Sequence, residues 1–289
     1  MDSWIDWIRK KIESWTIWML RQGAIPKHVA FIMDGNRRFA KKKHWHSHKG
    51  HEMGFERLEQ TLDWCLSLGV QVVTIYAFSI ENFKRPPEEV DALMALAAAK
   101  LNEFATHSDI VDKHQIRIRV LGNTALLPVE VRKAAAEAVK ATRHHSKAVL
   151  NICCPYTARH EIVTAIADVV SATRQDAICV SDIDRQLIGR ALFTEDYPDI
   201  DILVRTSGEA RLSDFMLWQV SNGCLLYFTE ALWPEFTFWH MLPILLAFQA
   251  TGRTDVWSKS MVDGCASDRL DEFYSRLYDS RALEKLYYD

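Results

Sequence analysis

Short apolar runs alternate with helical stretches along most of the chain, and this alternation constrains the fold more than any other feature. The strand-like runs lie at residues 29–33, 70–78, 116–121, 149–154, 202–205 and 225–228, and the helical stretches at 50–68, 88–104, 128–142, 159–171, 181–192, 238–249 and 268–286. Strands that alternate with helices of this length form parallel sheets covered by helices. The sequence therefore predicts an α/β fold in which helices surround a central, mostly parallel sheet.

The first strand-like run ends in the polar cluster Asp34-Gly35-Asn36-Arg37-Arg38. In an open α/β sheet, ligands bind at the carboxyl ends of the strands. Arginine offers forked donors that suit phosphate oxygens, and glycine lets the backbone approach a ligand closely. A carboxylate among phosphates indicates a bridging cation, for which Mg²⁺ is typical. The cluster predicts diphosphate binding with Asp34 as the metal ligand; an ordinary turn with solvated arginines is the alternative.

Two further polar clusters follow other strand-like runs. The first comprises Ser79, Glu81, Asn82 and Arg85, and the second comprises Arg205, Arg211 and Ser213. Because the carboxyl ends of parallel strands share one edge, we expect these clusters to lie beside Asp34. Two basic clusters suit two phosphorylated substrates, although a surface loop with ordinary salt bridges also explains the second. His51 is expected to hydrogen-bond a phosphate or the surroundings of Asp34.

Composition excludes several classes of function. The net charge is −3, from 35 basic and 38 acidic residues, so the chain is not a general nucleic-acid-binding protein. None of the six cysteines forms a C-x-x-C pair, which fits reduced thiols in the cytosol. No apolar run reaches the roughly 20 residues of a membrane-spanning helix. Walker A and dinucleotide glycine patterns are also missing from the sequence.

The first 25 residues form a tryptophan-rich amphipathic pattern. Trp4, Trp7, Trp15 and Trp18 recur at helical spacing, with basic residues between them. Such a helix is typical of a segment that lies on a bilayer surface. A helix packed on the domain's own core, or on a partner, is the alternative.

Four motifs together closely resemble those of the cis-prenyltransferases, in particular the eukaryotic catalytic subunits. They are residues 28–42, 76–85, 205–219 and 232–236, and the resemblance covers about residues 26–250. It implies an undecaprenyl diphosphate synthase-like fold, in which the sheet and helices enclose a hydrophobic tunnel, in a dimer. We therefore expect an amphipathic N-terminal helix at 1–25, a catalytic domain at 26–250 and a C-terminal helical tail at 251–289.

The resemblance also implies an activity and a role for each site residue. Isopentenyl diphosphate would be condensed repeatedly onto farnesyl diphosphate to give a long cis-polyprenyl diphosphate, the precursor of dolichol used in protein glycosylation. By motif match, Asp34 would hold Mg²⁺, and Asp34 and Asn36 would be catalytic. The farnesyl diphosphate site would comprise Asp34, Gly35, Arg37, Arg38 and Arg85, and the isopentenyl diphosphate site Arg37, Arg85, Arg205, Arg211 and Ser213. His51, Ser79, Glu81 and Asn82 would support both sites. The proton-abstracting base stays open between the diphosphate and the Asp34–Asn36 neighbourhood.

The chain departs from bacterial members of the family at three points. Ser47 replaces an arginine four residues before His51, and Cys224 replaces a glutamate that is a Mg²⁺ ligand. No arginine after residue 230 is followed by x-Gly, the motif that reaches across the dimer in single-subunit members. The last two departures resemble the eukaryotic catalytic subunit, whose partner is a Nogo-B-receptor-like accessory subunit. The resemblance implies a heteromer that is weakly active without its partner, bound peripherally to the cytosolic face of the endoplasmic reticulum membrane.

Two rival interpretations belong to other functional classes. The first is a non-catalytic accessory subunit of the same fold; such subunits typically lose the Asp34 motif, which this chain keeps. The second is a different diphosphate enzyme, such as a phosphohydrolase.

Overall fold

A parallel sheet forms the centre of the molecule. The computed structural model describes residues 2–106, 108–195, 197–252 and 268–281. Within these ranges, the strands are β1 (His28–Ile32), β2 (Val72–Tyr76), β3 (Ile116–Leu121), β4 (Ala148–Cys153), β5 (Ile202–Arg205) and β6 (Leu225–Phe228). Their order is β3-β4-β2-β1-β5-β6, and each neighbouring pair is parallel. The predicted α/β fold with a mostly parallel sheet is confirmed.

Helices cover both faces of this sheet. They are α1 (Asp2–Leu20), α2 (Asn36–Lys42), α3 (Ser47–Leu68), α4 (Pro87–Thr106), α5 (Asp109–His114), α6 (Val129–Thr142), α7 (Ala158–Arg174), α8 (Arg185–Arg190), α9 (Leu217–Val220), α10 (Phe238–Ala250) and α11 (Asp268–Arg281). The predicted last helix, 268–286, is observed as far as Arg281, and residues 282–286 lie outside the described ranges.

The predicted helix at 181–192, which would begin at Ser181, is wrong in its start. A 3₁₀ turn occupies Val180–Asp182, and α8 begins after Asp184. The Asp184 carboxylate accepts a hydrogen bond from the Leu187 N–H at 2.7 Å. Aspartate and serine are comparably good N-caps, so the downstream aspartate was an equally valid start.

Alternating residues of β1 supply two hydrophobic layers. Val29 and Phe31 pack with α3, α4, α6 and α10 on one face, while Ala30 and Ile32 pack with Tyr156 on the other. All five residues of β1 are buried, as expected for a central strand of a parallel sheet. Packing on both faces therefore fixes the position of β1, and with it the point at which the polar residues after β1 emerge from the core.

Buried polar side chains form a row of hydrogen bonds across three neighbouring strands, on the same face of the sheet as Ala30. His28 Nε2 lies 2.6 Å from Thr74 Oγ1, and the Asn151 amide donates to the same hydroxyl at 3.0 Å. His28 Nδ1 lies 2.7 Å from the carbonyl oxygen of Pro198. Burial lowers the pKa of His28 to about 4, partly offset by the bond to Pro198, so this imidazole is neutral at pH 7.

Helix α1 packs against the domain through its C-terminal end. Leu20 is buried, and the Gln249 amide of α10 donates to the Leu20 carbonyl oxygen at 2.7 Å. The indoles that precede this anchor are exposed: Trp4 at 67%, Trp7 at 57%, and Trp15 and Trp18 each at 61%. Among the described residues, no helix combines the length and apolarity needed to cross a bilayer.

Candidate active site

A cavity of about 810 Å³ lies at the carboxyl ends of β1, β2 and β5 and continues between the sheet and helices α3, α4 and α6. Most of the predicted site residues line it: Asp34, Asn36, Arg37, His51, Ser79, Glu81, Asn82, Arg85, Arg205, Arg211 and Ser213. Gly35 and Arg38 are not among its lining residues. The three sequence clusters therefore meet at one edge of the sheet, and an apolar space extends away from them.

Gly35 forms the turn between β1 and α2. Its φ of +106° lies in the left-handed region, which favours glycine. A Cβ atom here would lie 2.9 Å from Leu232 Cδ2 and 3.1 Å from Ser207 Cβ. The turn therefore needs glycine both for its backbone conformation and for the close approach of two neighbouring loops.

Asp34 is held at this edge by two hydrogen bonds. Its Oδ1 accepts from the Gly35 N–H at 2.7 Å, and its Oδ2 accepts from Arg205 Nη2 at 2.9 Å. Burial raises the pKa of Asp34, but the hydrogen bond and charge of Arg205, with help from Gly35 and Arg38, outweigh burial and hold the pKa below its usual range. Asp34 is therefore an anion at neutral pH, with about a third of its side chain exposed.

Two guanidinium groups that line the cavity share one carboxylate. Arg85 Nη1 lies 2.9 Å from Glu89 Oε1, and Arg37 Nη1 lies 3.6 Å from the same oxygen. One carboxylate for two arginines leaves net positive charge available to an anionic ligand. Both arginines were predicted as site residues from the sequence, but Glu89 was not, because it is the third residue of α4 and follows the Arg85 cluster.

His51 is a half-buried imidazole that lies near these arginines, and both Arg85 and Arg37 influence its pKa. Its Nε2 has no hydrogen-bond partner among the described residues. Burial, followed by the charge of Arg85, lowers the pKa of His51 to about 4. A neutral imidazole with a free nitrogen can donate to or accept from a ligand oxygen, depending on its tautomer.

The loop after β5 is shaped by Arg205. Its Nη1 donates to the Arg211 carbonyl oxygen and to Ser213 Oγ, both at 2.6 Å. Ser213, Asp214 and Met216 have φ values of +49°, +60° and +50°, a conformation that non-glycine residues adopt only at a cost. Backbone strain of this kind is concentrated at ligand-binding sites, where surrounding contacts maintain it.

Tyr76, the last residue of β2, contacts the strained loop after β5. Its hydroxyl donates to the carbonyl oxygens of Ser213 and Tyr156, at 3.2 and 3.1 Å. Its ring stacks on Phe215, with centroids 4.5 Å apart. Tyr76 belongs to the motif quoted in the sequence analysis, but a positioning role was not foreseen, because it depends on contacts between distant segments.

Arg159 is a further cation on the cavity wall that sequence analysis missed. Its Nε lies 2.8 Å from Asp214 Oδ2, and its side chain is 74% exposed. The available signal was its position near the start of α7, shortly after β4, at the same sheet edge as the other clusters.

Arg38 lies behind the cavity wall. Its Nη1 donates to the Ser207 carbonyl oxygen at 3.0 Å, and its Nη2 lies 3.7 Å from Asp34 Oδ1. Arg38 therefore ties α2 to the loop after β5. Ser47 and Cys224, the two replaced positions, do not line the cavity.

The side chains around Asp34 supply only part of the ligand set of a magnesium ion. Among the described residues, no three His, Cys, Asp or Glu side chains converge as a complete metal cage. Mg²⁺ commonly uses one or two carboxylates and takes its remaining ligands from substrate phosphates and water. Each oxygen of Asp34 accepts one hydrogen bond and keeps a second lone pair. Asp34 therefore fits Mg²⁺ that binds together with a diphosphate, whose negative charge offsets Arg205 and Arg38.

Comparison with known proteins assigns the family. Residues 32–255 match the prenyltransferase family described as undecaprenyl diphosphate synthase, so the chain belongs to the cis-prenyltransferase family. The human dehydrodolichyl diphosphate synthase complex subunit is 48% identical over 231 residues, which is 80% of this chain and 69% of that protein. The corresponding complex subunit of Schizosaccharomyces pombe is 42% identical over 245 residues, which is 85% of this chain and 93% of the fission yeast protein.

A solved structure supports the same assignment. Lavandulyl diphosphate synthase from Lavandula x intermedia, in complex with dimethylallyl diphosphate, superimposes with a TM-score of 0.73 at 29% identity. The match covers 78% of this chain and 95% of that one. The family resemblance and the undecaprenyl diphosphate synthase-like fold expected from the sequence are confirmed.

Proposed function

We propose that this chain is a catalytic cis-prenyltransferase subunit that condenses isopentenyl diphosphate repeatedly onto farnesyl diphosphate. The product would be a long polyprenyl diphosphate that serves dolichol synthesis and protein glycosylation. The observation that carries the proposal is the convergence of Asp34, Arg85 and Arg211 on one cavity with an apolar interior. The similarity to dehydrodolichyl diphosphate synthase complex subunits supports this choice of substrates and product.

The proposed primer site lies around the turn after β1. Gly35 brings the backbone N–H groups at the start of α2 close to a diphosphate, and Arg37 and Arg85 supply guanidinium donors. Arg38 would reach the same diphosphate from behind Asp34, where it also anchors Ser207. Cleavage of the primer's C1–O bond leaves its electron pair on the diphosphate, so cations preorganised there lower the barrier.

The proposed extender site lies on the loop after β5. Arg205, Arg211 and Ser213 would hold the second diphosphate, while Arg37 and Arg85 lie between the two substrates. Fixing both diphosphates places the extender's double bond beside the allylic carbon. The π electrons of that bond form the new carbon–carbon bond, and a proton leaves C2 of the extender. The diphosphate oxygens and the Asp34–Asn36 neighbourhood both remain candidates for the base.

Asp34 would hold Mg²⁺ together with the diphosphate oxygens. When bound, the ion supplies Lewis-acid stabilisation of the negative charge that develops on the leaving diphosphate. His51, Ser79, Glu81 and Asn82 would support this site: the Ser79 hydroxyl accepts from the Glu81 N–H at 3.1 Å and Asn82 Oδ1 accepts from the Ser79 N–H at 3.1 Å. These bonds form a capping box that fixes the segment leading to Arg85.

The apolar cavity suits a growing hydrocarbon chain. Phe55 and Leu58 of α3 and Leu101 of α4 are among the apolar side chains on its wall. Each buried CH₂ contributes about 0.8 kcal/mol, so each added five-carbon unit contributes on the order of 3–4 kcal/mol. A product held this strongly would be released more readily into lipid than into water.

The chain is proposed to act in a heteromer with a Nogo-B-receptor-like accessory subunit. The printed names of the human and fission yeast relatives describe each of them as a complex subunit. The sequence after residue 230 contains no Arg-x-Gly, the motif that the partner would supply. In this arrangement, residues 26–250 would form the catalytic domain and 251–289 the C-terminal tail, of which 253–267 and 282–289 lie outside the described residues.

Helix α1 is proposed to place the enzyme on the cytosolic face of the endoplasmic reticulum membrane. Its four exposed indoles precede the end that packs on the domain, and Trp4, Trp7, Trp15 and Trp18 would lie in the headgroup layer. Flotation with phosphatidylcholine–phosphatidylserine vesicles tests this. Serine at all four positions should abolish flotation, and retained flotation would contradict the proposal.

Product analysis tests the proposed activity. The full chain, expressed with and without the accessory subunit, is incubated with farnesyl diphosphate, radiolabelled isopentenyl diphosphate and MgCl₂. We expect a long labelled lipid that disappears with chelator or with Asp34→Ala. Release of phosphate without lipid would favour a phosphohydrolase. Turnover in the complex that is unaffected by Asp34→Ala would favour the accessory-subunit interpretation, and full activity of the single chain would refute the need for a partner.

A further inference from the structure

A charged side chain interrupts the apolar wall of the cavity. Among the described residues of α4 that line the cavity, Lys100 is charged and the others, such as Ala97, Leu101 and Phe104, are apolar. Lys100 lies eleven residues after Glu89, which pairs with Arg85 at the mouth, so it is about 16 Å further along the helix axis at 1.5 Å per residue. Lys100 therefore lines the cavity at a point well separated from the diphosphate site.

The position of this ammonium group is determined by two contacts. Lys100 Nζ lies 4.3 Å from the ring centroid of Phe55 on α3, and 2.7 Å from Glu103 Oε2. Phe55 also packs on Phe104, with ring centroids 5.5 Å apart. Phe55 of α3 and Lys100 and Phe104 of α4 therefore cover the line of contact between these two helices on the side that faces the cavity. We call this line of contact the α3–α4 seam.

Lys100 lies at the boundary between the cavity and solvent. Its side chain is 28% exposed, and that of its partner Glu103 is 41% exposed. A lysine stem can lie along apolar surface while its ammonium group turns toward water. Because Lys100 contacts the Phe55 ring and Glu103 at the same time, its ammonium group can move off the ring toward solvent and stay beside Glu103.

We propose that Lys100 is a movable stop that limits the length of the prenyl product at the α3–α4 seam. This inference rests on the proposed prenyl-transfer activity and adds a specificity-determining residue to it. A hydrocarbon chain that reaches the Phe55 ring must take the place of the ammonium group there. An ammonium group cannot remain in apolar surroundings without its partners, so chain growth beyond this point requires Lys100 to move outward.

The test replaces the charge and keeps the length of the side chain. Lys100→Met in the full chain, assayed with the accessory subunit, is expected to shift the product distribution to longer lipids by at least one isopentenyl unit. Lys100→Arg keeps a cation over the ring and should retain the wild-type distribution. The first condensation onto farnesyl diphosphate should proceed at the wild-type rate in both variants, because the short product does not reach the seam.

A matched control is available on α3. Lys49 pairs with Glu52 at 2.8 Å with the same i, i+3 spacing, but it does not line the cavity. Lys49→Met should leave product length unchanged. An unchanged or shortened distribution in Lys100→Met, with normal condensation in the wild type, would overturn the inference. Failure of the wild-type complex to incorporate isopentenyl diphosphate would instead overturn the proposed function. A melting curve for each variant separates these results from misfolding.

Discussion

Arg205 Nη2 lies 2.9 Å from Asp34 Oδ2 and joins the carboxyl ends of two adjacent parallel strands. The register of the sheet brings these residues together, because Ile32 of β1 is paired with Arg205 of β5 and Asp34 follows two residues later. The Arg205 side chain is 4% exposed and the Asp34 side chain 35%. The ion pair is thus a direct consequence of strand pairing, and it sets the charge of the proposed metal ligand.

Removing Arg205 should change the protonation of Asp34. Arg205→Met removes the main influences that lower the pKa of Asp34 and leaves burial, which raises it. A carboxylate with a lowered pKa loses its charge as the pH falls through that pKa, so a raised pKa moves the loss to higher pH. We expect the acidic limb of the kcat–pH profile of Arg205→Met to lie at higher pH than that of the wild type. Arg159→Met, which removes a cavity arginine bonded to Asp214 instead, should not shift it; equal shifts would contradict this account.

Arg211→Ala should weaken the binding of isopentenyl diphosphate more than the binding of farnesyl diphosphate. Arg211 lines the cavity from the loop after β5, which forms the proposed extender site, and pairs with Glu209. Loss of a charge-assisted hydrogen bond costs about 1.5–3 kcal/mol, or roughly 10- to 100-fold in Kd. Arg38→Ala should show the reverse preference. Calorimetric titration of each diphosphate measures both effects, and equal losses for the two ligands would refute the assignment.

Tyr76→Phe should loosen the extender site while preserving the core. The phenylalanine ring keeps the stacking on Phe215, but the hydrogen bonds to the carbonyl oxygens of Ser213 and Tyr156 are lost. A neutral hydrogen bond contributes about 1 kcal/mol, so the KM for isopentenyl diphosphate should rise about fivefold. The KM for farnesyl diphosphate serves as the internal control. A parallel rise in both values would indicate a general structural effect instead.

Much of the fold could be predicted because each strand has a strong local signal. The predicted runs at 116–121, 202–205 and 225–228 coincide with β3, β5 and β6. The run at 70–78 was too long, since Val72–Tyr76 is the paired strand and the apolar residues around it lie in connections. The convergence of the three clusters on one cavity also followed from the parallel topology, because parallel strands direct their carboxyl ends to the same edge.

The remaining features depend on contacts that local sequence does not encode. Glu89 became part of the site because the first turn of α4 lies beside Arg37 and Arg85. Arg38 was expected on the cavity surface, yet its position on α2 directs it to Ser207. A helical period predicts which residues share a face, but it does not specify which neighbouring loop that face meets.

Acid should destabilise the protein through His28. Its folded-state pKa of about 4 lies below the ordinary 6.5, so between these values the unfolded chain binds more protons than the native one. The free energy of unfolding should therefore rise with pH across that window, with a contribution on the order of 3 kcal/mol present in full above pH 6.5. Urea titrations at pH 7.5 and 5 test this. His28→Asn should lower stability at pH 7.5 but flatten its pH dependence, and an unchanged slope would contradict the assignment.

Gly54→Ala should reverse the usual effect of replacing glycine within a helix. Alanine normally stabilises a helix interior by about 0.5–1 kcal/mol relative to glycine. At Gly54 of α3, however, a Cβ atom would lie 2.3 Å from Asn36 Oδ1 and 3.1 Å from Trp233 Cδ1. Overpacking of this kind costs about 1–3 kcal/mol. Because Asn36 is proposed to act in catalysis, we expect both a lower melting temperature and a lower kcat. Gly189→Ala in α8 is the matched control, since its Cβ would meet Trp218 Nε1 at an ordinary 3.5 Å. If Gly54→Ala instead raised the melting temperature and left kcat unchanged, Asn36 would be free to move and would not be positioned by α3.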